Sequence, residues 1–129
     1  MRAGGDVLLD TSTIVAHWRS PLPKLIANEG ELFLPLIALG ELHAGARRAR
    51  DRPKIERQIA MLLGAAVVMV PTESTAVLYG AIHAELATAG TSIPQNDIWI
   101  AVMAREHELP LVTRDAHFRQ VQGLVTLTW

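Results

Sequence analysis

Five short apolar runs, each separated from the next by segments of helical spacing, constrain this chain more than any other feature. They are Val7-Leu8-Leu9, Glu31-Leu32-Phe33-Leu34 closed by Pro35, Val67 to Val70 stopped by Pro71, Leu109 to Val112, and Leu124 to Leu127. Nearly continuous apolar runs of this length, rich in branched side chains, read as strands covered on both faces. The intervening sequence predicts helices from the Asp10-Thr11-Ser12-Thr13 cap cluster to about Arg19, a short one ending near Gly30, then Leu36–Arg50, Arg52–Leu63, Thr72–Ala89, Pro94–His107 and Asp115–Val121. Strands that alternate with helices build a parallel sheet with helices on both faces, and ligands in such sheets sit beyond the carboxyl ends of the strands.

Composition narrows the chemistry. With 129 residues, half of them hydrophobic, the chain is expected to be one domain, 1–129, with its own core. It has no cysteine, so any metal must be held by oxygen or imidazole. The N-terminus lacks a secretory pattern, and the longest apolar stretch, Ile59 to Val70, is too short for a bilayer and contains Gly64. A cytoplasmic protein without a membrane partner is the expectation. Net charge is only −1, but six of the twelve basic residues (Arg47, Arg48, Arg50, Arg52, Lys54 and Arg57) crowd into one segment. Such a run is either a solvated helix end and loop or a patch that contacts phosphate.

Against this frame four acids stand out: Asp10, Glu41, Asp97 and Asp115. Asp10 follows the first strand directly, and Asp115 lies three residues past Val112 at the same end of the fourth. Asp97 is in the first turn of a helix that is apolar almost all round. Glu41 has Ile37, Ala38, Ala44 and Gly45 as its helical neighbours, which predicts a close-packed face where an unpaired acid is costly. Each has an ordinary alternative: helix capping for the aspartates, a salt bridge for Glu41. Jointly they predict convergence at one end of one sheet. Like charges about 4 Å apart repel by about 4 kcal/mol at an effective dielectric near 20, so clustered carboxylates call for a divalent cation or a retained proton.

The segments Leu8-Leu9-Asp10-Thr11-Ser12, Leu39-Gly40-Glu41-Leu42-His43-Ala44-Gly45, Asn96-Asp97-Ile98-Trp99-Ile100-Ala101 and Thr113-Arg114-Asp115-Ala116-His117-Phe118 resemble, in order and spacing, the PIN domain family, and within it the VapC-type toxins of toxin–antitoxin pairs. The resemblance covers essentially the whole chain. It implies a three-layer α/β/α fold around a five-stranded parallel sheet in the order 3-2-1-4-5. It also implies an endoribonuclease dependent on Mg²⁺ or Mn²⁺, acting on RNA as a homodimer that an antitoxin protein neutralises. By motif, Asp10, Glu41, Asp97 and Asp115 take the catalytic and metal-ligating places, with Thr11 and Thr113 at the accompanying hydroxyl positions. Ser12 stands where the family commonly has Asn. Arg47, Arg48, Arg50 and Arg114 are candidate RNA contacts.

Two other classes share parts of this pattern. A receiver domain would need a phosphorylatable Asp after the third strand, where Pro71-Thr72-Glu73 stand, and a DxD-type phosphotransferase an acid where Ser12 stands; both fit poorly. A catalytically silent PIN-like module that holds RNA or protein is the remaining alternative. The five histidines form no HxxxH pair and read mostly as surface or structural, with His43 the one weighed for contact with the site. Trp18, Trp99 and Phe33 read as core packing rather than as a partner groove.

Overall fold

The computed structural model describes residues 5–129. Its strands are β1 (Val7–Leu9), β2 (Leu32–Pro35), β3 (Val67–Met69), β4 (Leu111–Val112) and β5 (Thr126–Leu127). They form one parallel sheet in the order β3-β2-β1-β4-β5, as the resemblance implied. The helices are α1 (Thr11–Arg19), α2 (Pro23–Ile26), α3 (Leu36–Arg48), α4 (Arg52–Ala65), α5 (Glu73–Thr88) and α6 (Gln95–Glu106). The expected strands at Leu109–Val112 and Leu124–Leu127 shrink to two-residue ladders, because only Leu111–Val112 and Thr126–Leu127 find register partners. The expected final helix is a 3-10 turn, Ala116–Gln120, in keeping with the preference of very short helical runs for tighter hydrogen bonding.

The core lies on the central strands. Val7, Leu8 and Leu9 are all buried, as β1 is flanked by β2 on one side and β4 on the other. Helix α6 supplies Ile98 and Ile100 to Ala104, all buried, which matches its apolar sequence. Trp18 and Phe33 pack against this core, while Trp99 stacks on Tyr79 of α5 with ring centroids 4.0 Å apart. The edge strand β3 is less covered, and Val67 remains 44% exposed.

Two helix ends use the same closing motif with different residues. After α5, Gly90 adopts a left-handed φ of 69° and the Thr91 amide bonds back to Leu86 O. After α6, Glu108 takes that place at φ 54°, with Glu108 N donating to Arg105 O and Leu109 N to Ala104 O. Both are Schellman closures, and only the first has the residue that adopts this conformation without a Cβ penalty.

β1 and β4 are adjacent and parallel, with Leu9 opposite Val112. The segments that leave them, starting at Asp10 and Thr113, therefore emerge side by side at the carboxyl end of the sheet.

Candidate active site

One open cleft of about 420 Å³ at that end is lined by Asp10, Thr11, Ser12, Val15, Ala16, Arg19, Glu41, Asp97, Asp115 and Phe118. All four acids singled out in the sequence thus reach one cavity from four separate elements.

Asp10 is the N-cap of α1, and its Oδ1 accepts from the Thr13 amide at 2.8 Å. Its Oδ2 accepts from Ser12 Oγ at 3.1 Å and Thr113 Oγ1 at 2.5 Å. The capping role and the cleft role are therefore held together, one by each oxygen. Asp10 is only 3% exposed, so these donors replace the hydration that a buried carboxylate loses. Thr113 is buried as well, and its hydroxyl also accepts from the Asp115 amide at 3.0 Å.

Glu41 projects from the middle of α3 and accepts from Thr11 Oγ1 at 2.7 Å. Its stripe is not the close-packed face expected. Ala38, Leu42 and Ala46 form the buried stripe, while Ala44 is exposed and Ile37 and Gly45 are half-buried. Glu41 borders the core at the mouth of the cleft, and this position, rather than burial among small residues, is why it needs no salt bridge.

Asp97 is at the start of α6, whose N-cap is Pro94. Its Oδ2 lies 2.9 Å from His117 Nε2. The other ring nitrogen, Nδ1, lies 2.9 Å from Asp115 Oδ1. The imidazole therefore fills the gap between two carboxylates. A ring with both N–H groups satisfies both contacts, and a neutral ring satisfies one. Burial pushes the Asp97 carboxyl above its ordinary value of 3.8; the hydrogen bond and charge of His117 pull against this, and Glu41 and Asp115 push further upward. Asp97 is thus driven toward keeping its proton, by burial first and by the neighbouring carboxylates only in smaller part. Asp97, Asp115 and His117 present ligand atoms within 4.8 Å of one another, close enough for a single cation to touch all three.

Residues 7–124 match the PIN domain family. The chain belongs to that family. Ribonuclease VapC2 of Haemophilus influenzae is 33% identical to it over 130 residues, covering 95% of this chain and 96% of that protein. Ribonuclease VapC5 of Mycobacterium tuberculosis is 27% identical over 122 residues, covering 93% and 90%. Among solved structures, VapBC-1 from nontypeable H. influenzae superposes with a TM-score of 0.86 at 27% identity, covering 96% of this PIN domain and 98% of that chain. VapBC2 from Rickettsia felis, bound to a DNA fragment from its promoter, reaches a TM-score of 0.88 at 22% identity, covering 96% and 98%, which speaks to the fold alone.

Two residues at this PIN domain's acid cluster, one behind the cleft lining and one in it, are not marked by the sequence pattern. His117 was grouped with surface or structural histidines, yet it sits between two of the acids, whereas His43 is exposed and lies outside the cleft lining. Arg19 is the cation among the lining residues, brought there because it shares a face of α1 with Ser12 and Ala16. The expected RNA contacts fall elsewhere. Arg47, Arg48 and Arg50 are exposed at and beyond the end of α3. The Arg114 guanidinium lies 3.7 Å from the centre of the Trp129 ring, and its Nε donates to Trp129 O at 2.5 Å. The neighbouring Arg52 is engaged by Glu56 at 2.9 Å.

Proposed function

We propose that this PIN domain is a metal-dependent endoribonuclease, the toxin of a VapBC-type toxin–antitoxin pair. One observation carries the reading: four acids, from the junction of β1 and α1, from α3, from α6 and from the segment after β4, line a single open cleft. The relatives' names, all ribonucleases, support the reaction class. The donor set fits a hard divalent cation. Carboxylate oxygens suit Mg²⁺ and Mn²⁺, and a cation would offset the burial that raises Asp97 as well as the smaller push from Glu41 and Asp115. In this reading Asp10, Asp97 and Asp115 hold the main ion, and Glu41 holds or orients a second ion or the water. Bound there, the ion supplies Lewis acidity at phosphorus and an acidified water as nucleophile.

The chain's own groups prepare the site. The hydroxyls of Thr113 and Ser12 fix the Asp10 carboxylate, and Thr11 fixes that of Glu41. His117 holds Asp97 and Asp115 at a set separation. Arg19 is placed to meet a phosphate at the rim. Arg48, seven residues from Glu41 on α3, falls on the same helix face roughly 10 Å further along. Arg47 turns toward α4, where its charge acts on Glu56, and Arg50 follows the end of the helix, so Arg48 is the member of this run best set to extend a phosphate path from the cleft.

An antitoxin partner fits a second feature. A groove of about 590 Å³ between α1, α2 and α4 is lined by Ile14, Trp18, Leu25 and Leu62, with Ile26 66% and Met61 76% exposed at its mouth. Large apolar side chains left open in this way mark a partner surface. A homodimer completes the proposal. Among the described residues no helix is long and apolar enough to cross a membrane.

Incubation of the purified protein with generic RNA and Mg²⁺ or Mn²⁺ tests the reading. Cleavage should appear with metal, vanish with EDTA and vanish in Asp10→Asn. RNA that stays intact under all conditions would favour the silent binding module.

A further inference from the structure

Trp129 takes no part in the acid cleft, yet it is tied to both segments that build it. After β5 the chain passes the carboxyl end of β4 and reaches α1, where the indole Nε1–H of Trp129 donates to Thr13 Oγ1 at 2.9 Å. The ring also carries the Arg114 guanidinium, and the main-chain oxygen of Trp129 accepts from Arg114 Nε. Thr13 stands three residues past Asp10, and Arg114 directly precedes Asp115. Trp129 therefore brackets two segments that each deliver an acid.

The hydrogen-bond directions make this bracket specific. An indole N–H only donates, so Thr13 Oγ1 must accept from it and direct its own proton elsewhere. That proton goes to Val112 O at 2.9 Å, the last carbonyl of β4. The Thr13 amide meanwhile holds Asp10 Oδ1. From the other strand, Thr113 donates to Asp10 Oδ2 and accepts from the Asp115 amide, so its proton direction is fixed as well. Two buried threonines thus cross-link the ends of β1 and β4, each reaching from one segment to the other. Trp129 allocates the hydroxyl of the first, and Arg114, pinned on the indole, steadies the backbone between the second and Asp115.

We infer that Trp129 is a positioning residue: through Thr13 and Arg114 it sets the spacing of the Asp10 and Asp115 carboxylates and so tunes how tightly the cleft holds a divalent cation. The inference rests on the metal-dependent reading above. Outer contacts that orient ligands are worth on the order of tenfold or more in metal affinity.

Mn²⁺ binding to the full chain, followed by the electron paramagnetic resonance signal of the free ion, tests it beside thermal melting. Trp129→Ala should weaken Mn²⁺ binding on the order of tenfold. Trp129→Phe, which keeps a ring for Arg114 but no N–H, should fall between, with a melting temperature near that of the parent. Thr13→Ser should bind like the parent and Thr13→Val like Trp129→Phe. The Trp129→Phe/Thr13→Val double variant should be no weaker than the worse single one, because both act through one hydroxyl. If Trp129→Ala does not fold, the Phe and Thr13 variants decide. Folded Trp129 variants that bind Mn²⁺ like the parent, with only a lower melting temperature, overturn the inference and leave the nuclease reading standing. A parent that binds no Mn²⁺ overturns both.

Discussion

The hydroxyl of Thr113 donates to Oδ2 of Asp10 across 2.5 Å, joining residues 103 positions apart. This bond ties the segment after β4 to the end of β1, so the separation of the acids that follow those strands is set by side chains and not by the sheet alone.

Asp10 allows its capping role to be separated from its other bonds and its charge. In Asp10→Asn the amide oxygen still accepts from the Thr13 amide, so the cap on α1 survives while the charge is lost. RNA cleavage should fall on the order of 100-fold or more, and the melting temperature should drop as well, because the amide nitrogen of Asn cannot accept from Thr113 and Ser12 as Oδ2 does. Asp10→Ala should lose the same activity and, in addition, about 1 kcal/mol of stability for the missing cap. Equal melting temperatures for the two variants would contradict the capping role.

Asp97 should leave a mark on the pH dependence of stability. Burial, the largest influence, holds its carboxyl above the ordinary 3.8, so the folded protein binds this proton more tightly than the unfolded chain does. Stability is therefore undiminished below 3.8, erodes as pH rises from 3.8 through the raised folded value, and carries the whole penalty above it. Without metal, Asp97→Asn should match or exceed the parent's melting temperature at neutral pH, and the difference should close on acidification. Added Mn²⁺ should raise the parent's melting temperature more than the variant's. A metal-free variant that is less stable at pH 7 than at pH 3.5, relative to the parent, would reverse the sign.

His117 should act on the same carboxyl from the other side. Its hydrogen bond and charge lower the Asp97 value against burial, so His117→Ala removes that restraint. An activity that needs the ionised acid should then require a higher pH, and the acid limb of the pH–rate profile should move upward. A profile that keeps its position while the overall rate falls would assign His117 to packing.

Much of this was legible in the chain. The five strands and the helices between them follow from apolar runs and helical spacing that differ in period, so their order survives even where the ends shift. Asp10, Asp97 and Asp115 could be found because each lies at an element boundary. Glu41 was found for a reason the fold revises, since its stripe borders the core and opens on the cleft. His117 and Arg19 were missed for physical reasons. The aim of His117 depends on a 3-10 turn that sequence pattern does not distinguish from a short α-helix. Arg19 joins the cleft only once α1 is set in place behind Asp10. Trp129 gains its partners from the register of β5, which no local pattern specifies.

Arg19 should read out as a phosphate contact. Its charge takes no part in the carboxylate cluster, so Arg19→Ala should raise KM and leave kcat and Mn²⁺ affinity near those of the parent. The salt dependence of RNA binding should flatten by about 0.7 in slope, the amount expected for one lost contact to a single strand. An unchanged slope would remove Arg19 from the RNA path.

Glu108 predicts a gain. It holds φ 54° in the closure of α6, where a side chain costs roughly 1 kcal/mol or more. Glu108→Gly should stabilise the protein by up to about 1 kcal/mol in denaturant unfolding, less the added entropy of the unfolded chain. Glu108→Ala should not, since the Cβ remains.

The capping bond from Asp10 to the Thr13 amide has a consequence for how such a protein can be controlled. The acid at the heart of the cleft is also the group that starts the first helix, so the chain does not acquire its fold and its chemistry in separate steps. Turning Asp10 away would uncap α1, at about 1 kcal/mol, and would strand the hydroxyl donors of Ser12 and Thr113. The fold itself therefore favours the cleft-facing carboxylate, and a control that works with this fold covers the cleft or withholds what binds there.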